Sequence, residues 1–191
     1  MTIRTMTLTL KKAALLMAVF ASVNFTAQGE DAKPGKVMAG SFIFKYSKPW
    51  VEKPSSSSMR AGELTYKFTE EQKLDNVHVV FYYFGQGQGG DTGDNLKRWV
   101  GQFQGQPKSE SEALEINGTK VTFLTASGTY MESSGGPFAG KKTARPNYTL
   151  LGAVVESSQG NVFVKLFGPD ASVEAVKKPF KDLVRSALSK K

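Results

Sequence analysis

Eight consecutive residues, Val77-His-Val-Val-Phe-Tyr-Tyr-Phe84, are apolar or aromatic at every position but His78. Side chains along an extended segment point alternately to opposite faces. A run like this therefore has no face to give to water, and such a strand is covered on both sides. Whatever this chain folds into must hold a sheet with material packed on each face.

The residues after the run supply part of that cover. Gly85-Gln-Gly-Gln-Gly-Gly90 is a glycine-rich loop, and Asp91, Thr92, Asp94 or Asn95 can cap a helix that follows it. Leu96, Trp99, Val100 and Phe103 then fall at i, i+3, i+4 and i+7, one apolar stripe of a short amphipathic helix. Further on, Glu112–Ile116 and Thr119–Thr125 flank Asn117-Gly118. That pair favours a type I′ hairpin turn, because both positions need positive φ. The second arm of the hairpin extends as far as Tyr130.

Phe42–Tyr46 and Met59–Phe68 read as earlier strands, the second with Leu64, Tyr66 and Phe68 on one face. Lys48-Pro-Trp50 ends the first of these, and residues 52 to 58 form a loop. Tyr148–Glu156 and Val162–Phe167 form a second hairpin around Ser157-Ser-Gln-Gly160. Residues 132 to 147 carry Gly135, Gly136, Pro137 and Gly140, then Lys141, Lys142, Arg145 and Pro146, and read as a long basic loop. A helix from about Ala171 to Ser189 closes the chain, and Pro179 inside it is expected to kink or split it. Adjacent hairpins make antiparallel neighbours. The expected fold class is α+β: a single, mainly antiparallel sheet of about 6–7 strands flanked by helices, an α/β/α sandwich.

The N-terminus reads as an export signal. Arg4, Lys11 and Lys12 precede the apolar run Ala13–Val23, and Ala27-Gln-Gly29 fits small-residue cleavage before Glu30. The apolar run is shorter than the roughly 20 residues that span a bilayer. The expected organisation is therefore a signal over residues 1–29, a polar leader over 30–40 and a single α+β domain over 41–191. The mature chain would hold no transmembrane segment.

The chain has no cysteine, which excludes thiol chemistry, disulfides and lipid anchoring through a cysteine. Periplasmic or secreted localisation follows from the signal. Without its three basic residues the formal charge falls from +8 to +5. That mild excess, outside the cytoplasm, points away from nucleic acid and towards an unknown protein or an acidic cell-envelope partner.

The glycine loop matches G-x-G-x-x-G between a strand and a helix, yet a dinucleotide site is not expected. The helix starts too late, a hairpin replaces the crossover strand, and Asp91 and Asp94 put negative charge where a phosphate would lie. Asp91, Asp94 and Asn95 offer oxygen ligands, but their spacing misses the calcium-loop pattern, so they read as caps. His78 is the only histidine and reads as packed or hydrogen-bonded. Tyr82, Tyr83, Phe84 and Trp99 read as core, and Arg98 as reaching for a loop or sheet-edge carboxylate. No catalytic residue, metal site or cofactor emerges. The candidate binding residues are Gly87, Gly89, Gly90, Asp91, Asp94 and Asn95 on one loop. Lys141, Lys142 and Arg145 on the other complete a common rim.

Several segments carry a resemblance: Trp50…Pro54…Ser58-Met59-Arg60, Phe84–Gly90, Asn95-Leu-Lys-Arg-Trp99…Gln102-Phe103, Gly128-Thr-Tyr130 and Lys165-Leu-Phe-Gly-Pro169. Together they resemble a family of uncharacterised secreted bacterial proteins, over most of the mature chain. The order of elements is similar to the PsbP/Mog1-like α/β/α sandwich. The resemblance implies a non-enzymatic binding or accessory module and carries over no catalytic residue. The alternative is a carboxylate-dependent hydrolase or transferase with two acids converging in a cleft beside the glycine loop. The oligomeric state is open.

Overall fold

In a computed structural model the described residues are 33–134 and 140–189. The expected signal, residues 1–29, lies outside them, as do residues 135–139 of the expected basic loop. Seven strands form one sheet. In chain order they are β3 (Trp50–Lys53), β4 (Arg60–Tyr66), β5 (Val77–Tyr83), β6 (Lys108–Ile116), β7 (Thr119–Ser134), β8 (Lys141–Val155) and β9 (Val162–Pro169). In space the order is β3-β4-β5-β9-β8-β7-β6. Every neighbouring pair is antiparallel. Two meanders, β3-β4-β5 and β6-β7-β8-β9, meet where β5 pairs with β9. Asn117 (φ 52) and Gly118 (φ 80) both take the left-handed conformation that the type I′ turn requires.

Seven strands at about 4.8 Å spacing make a sheet about 29 Å wide. One helix is about 10–12 Å across with its side chains, so a single helix cannot cover a face. The first face is covered by two pieces. Helix α2 (Asp170–Ser186) lies on it beside a hairpin of β1 (Gly35–Ala39) and β2 (Phe42–Tyr46). Val37, Ala39 and Phe44 of the hairpin and Val176, Phe180 and Val184 of α2 bury against Leu64, Val79, Phe81, Val164 and Leu166. The Lys45 N–H donates to Ser186 Oγ at 2.8 Å and joins the two covers. Among the described residues, the second face is covered by α1 (Thr92–Val100), which lies over β7 and β8. Over β9, β5 and β4 the described residues place no helix on that face.

Four expectations change. Residues 35–39 lie in the assumed leader, yet they form β1, because Val37 and Ala39 alternate into the core. Trp50 starts β3 and does not end a strand. The basic stretch 132–147 is largely strand: β7 and β8 run on past their last pairings with β6 and β9, and beyond the bridge of Phe103 to Tyr130 they continue as a two-stranded arm. Pro179 does not split the last helix, which is assigned as α-helix without a break. Val176 and Phe180, on either side of the proline, are both anchored in the core.

Candidate functional site: a cationic cleft beside the first helix

Where α1 stops and the bare half of the sheet begins, there is a step. Strand geometry decides what lines it. Phe163, Lys165 and Phe167 alternate on one face of β9, opposite Val162, Val164 and Leu166, which point into the other core. Tyr82 of β5 pairs with Phe163 and shares that face. Helix α1 supplies the wall with Asn95, Arg98 and Trp99, and Gln102 in the turn after it completes that side. The cleft is open on one side and has a volume of about 190 Å³. At its mouth stands Phe84, an aromatic ring left 42% exposed. A wider hollow runs on from there over Gly89, Gly90 and Asp94.

The wall is fixed by two close approaches. A Cβ on Gly152 would lie 2.4 Å from the Trp99 ring, so only glycine lets Trp99 lie flat on β8. Gly89 (φ +86) is likewise pressed on Phe163, and its Cβ would lie 2.7 Å from that ring. The helix start is capped by Asp91, whose Oδ1 accepts the Asp94 N–H at 2.8 Å. Asn95 is fully buried. Its Nδ2 donates to Gly89 O at 2.8 Å and to Asp91 O at 2.9 Å, which latches the glycine loop to the helix. Its Oδ1 accepts from Arg98 Nη2 and holds that guanidinium at the cleft.

Lys165 is the chemical centre. Its Nζ donates to Gln102 Oε1 at 2.5 Å and to Tyr130 Oη at 3.0 Å. Tyr130 Oη donates in turn to Gln102 Oε1 at 3.1 Å. The ammonium also lies 5.1 Å from the centre of the Phe167 ring and 5.3 Å from that of Tyr130. Among the described residues no carboxylate pairs with it. Burial, and then the charges of Arg98 and Arg60, lower its pKa to about 8. Burial pushes the Tyr130 phenol up to about 12, with Glu132 and Tyr82 adding to the effect, so it stays neutral.

The one buried carboxylate on the bare half-face is already engaged. Glu63 Oε1 accepts from the Ser56 N–H at 2.7 Å and from its hydroxyl at 3.0 Å. Its Oε2 lies 3.0 Å from Arg60 Nη1 and 3.7 Å from Lys53 Nζ. Burial alone would raise its pKa, but the Ser56 donors and Arg60 outweigh that and lower it. His78, on the same half-face, shares a 2.8 Å hydrogen bond with Thr65 Oγ1.

The two groups of sequence-predicted residues do not meet. Gly89, Gly90, Asp94 and Asn95 border the cleft and its outer hollow, whereas Gly87 and Asp91 face a separate dip against Ser157, Ser158 and Asn161. Lys141, Lys142 and Arg145 lie on the arm, beyond the end of the sheet opposite the glycine loop. There Arg145 Nε donates to Glu132 Oε2 at 2.9 Å. The common rim expected from loop length therefore does not form. Asp91 and Asp94 do not converge either: one caps the helix and the other is exposed beside Lys97. Trp99 is core as expected. Tyr82 and Phe84, also expected in the core, line the cleft instead, and Arg98 is held by an amide and not by a carboxylate. Lys165, Gln102 and Tyr130 were missed. The available signal was a lysine at the centre of Val162–Phe167, a strand otherwise wholly apolar.

No family model matches the chain, and no curated protein resembles it in sequence. Among solved structures, the fold is similar to that of cyanobacterial PsbP (CyanoP) from Synechocystis sp. PCC 6803. The TM-score is 0.47 and the identity 13%, over 86% of this chain and 96% of that one. It is also similar to PA94 of Pseudomonas aeruginosa, a protein of unknown function, at TM-score 0.43 and 10% identity, over 83% and 99%. A third is LpqN of Mycobacterium tuberculosis, involved in cell envelope biogenesis, at TM-score 0.42 and 15% identity, over 85% of each chain. These are likenesses of fold.

Proposed function

We propose that this protein is an exported, non-enzymatic binding module, and that the cleft beside α1 receives an anionic group of its ligand. One observation carries the reading. Lys165 presents a partly buried ammonium to an aromatic-walled cleft, and among the described residues no acid neutralises it. A buried charge without a counter-ion is costly unless something supplies one. Arg98, the next cation on the wall, is likewise held only by a neutral amide. An acid entering the cleft would meet both. Periplasmic or secreted placement rests on the signal-like residues 1–29, and the acid would then be a component or visitor of the envelope.

The test is a titration of the purified protein with acetate, followed through side-chain nitrogen resonances. Lys165 and Arg98 are expected to shift, while Lys141 and Lys142 on the distant arm stay in place. Equal shifts at all four would mean general charge screening and would remove the proposal.

A further inference from the structure

We infer that the ligand is an aryl carboxylate: one carboxylate joined by a short link to a single flat ring, with the acid between Lys165 and Arg98 and the ring against Phe84, Tyr82 and Phe163. The inference rests on the anion-binding reading above and specifies its ligand.

Three observations lead there. The first is volume. A cavity of about 150 Å³ takes one benzene, and this open cleft has a volume of about 190 Å³, room for one ring with a short acid arm. The second is the number of free donors. Two of the three Lys165 donors are taken by Gln102 and Tyr130, and one Arg98 nitrogen is tied to Asn95. What remains suits the two oxygens of a carboxylate better than a phosphate dianion, which gathers more donors. The N-terminus of α1, the usual cradle for phosphate, is occupied by the Asp91 carboxylate.

The third is the aromatic wall. Tyr82 and Phe84 are stacked at 6.1 Å with 17° between their planes, and Phe84 and Phe163 are tilted at 6.0 Å. The Phe84 ring is exposed and lines both the cleft and its hollow. A flat ring laid in the gap would cover it.

The chemistry has two sources: a free aryl acid, or the C-terminal carboxylate of a chain ending in an aromatic residue. Calorimetric titration of the whole protein with 3-phenylpropionate, 3-phenylpropanamide, acetate, inorganic phosphate and N-acetylphenylalanine separates the outcomes. The expected result is that 3-phenylpropionate binds about tenfold or more tighter than either acetate or the amide. Phe84→Ala should remove about tenfold of that affinity and leave acetate unchanged. Because Phe84 is exposed on a loop, this variant keeps its fold, and an unchanged melting temperature verifies that. Lys165→Met should abolish binding of both acids.

If acetate or phosphate matches 3-phenylpropionate, the aryl inference is overturned while anion binding stands. An amide that binds as well as the acid overturns both, and so does an absence of binding by every probe. N-acetylphenylalanine tighter than 3-phenylpropionate assigns the chain-terminus source, and the reverse order assigns the free acid. Either order supports the shared chemistry.

Discussion

Lys165 works against the fold that holds it. Its folded pKa of about 8 lies below the ordinary lysine value of 10.5. Between those two values the unfolded chain holds the extra proton, so stability should rise as pH climbs through that window. The titratable groups around Lys165 are Arg98 from α1 and Arg60 from β4, whose charges act on it, with Tyr130 from β7 and Tyr82 from β5 beside it. The tyrosines act in the opposite sense only above about pH 10. Lys165→Met is therefore expected to stabilise the free protein at neutral pH by about 1–3 kcal/mol. Urea denaturation at about pH 7 and about pH 9.5 should show the gap between wild type and variant closing. A gap that persists would mean the ammonium is not what costs stability.

Glu63 behaves in the reverse way. Its folded pKa is depressed, so its contribution is present above the unfolded value and lost as pH falls through the folded one. Glu63→Gln should cost about 2–3 kcal/mol at neutral pH, and the cost should fade on acidification. Chemical denaturation at about pH 7 and about pH 3 checks the sign. At this scale the sequence was a poor guide to the site. A lysine in an apolar strand and an amide three positions before an arginine become a cleft only after α1 is laid across the sheet beside β9.

At the scale of elements, the seat of α1 depends on one missing methyl group. Gly152→Ala should lift Trp99 off β8, tilt the cleft wall and cost about 1–3 kcal/mol by overpacking. A thermal melt and the Trp99 environment in near-ultraviolet circular dichroism report both effects. Elements with strong local signals were legible. β5 announces itself by composition, the 117–118 turn by its dipeptide, and α1 and α2 by the spacing of their apolar residues. Elements stabilised by partners distant in sequence were not legible. β1 offers only Val37 and Ala39 to the core, and β3 is four residues long. The first half of β8, Lys141–Asn147, is exposed throughout and exists as strand because β7 pairs with it.

For the whole molecule, the sheet's width explains why a site exists at all. Among the described residues, the α2 face is closed by a helix and a hairpin together, while the α1 face receives one nine-residue helix that covers about half of it. The run Val77–Phe84 implied cover on both sides, but β5 is sealed on one face only: Val77, Val79 and Phe81 are buried, whereas His78 is exposed and Val80 and Tyr82 are half-buried. Among the described residues no helix is long and apolar enough to cross a membrane. Export makes its own prediction: protein recovered from the periplasm or medium should begin at Glu30 when its N-terminus is sequenced. Recovery from the cytoplasm with Met1 retained would remove the envelope from the proposed role.

The wall of the cleft is also the passage from one meander to the other. Chain from Phe84 to Pro107 leaves the middle of the sheet, passes over its neighbours and re-enters at the far edge as β6. That passage is tied to β7, where the Gln104 N–H donates to Thr129 O and the Met131 N–H to Gln102 O, each at 2.8 Å, and it buries Trp99 and Phe103 in the second core. Its cleft-facing side chains Phe84, Arg98 and Gln102 meet Lys165, Tyr82 and Phe163 of the strands it crosses. Descendants of this chain could vary those three and change what the strand-borne ammonium accepts, provided Trp99 and Phe103 keep their seats.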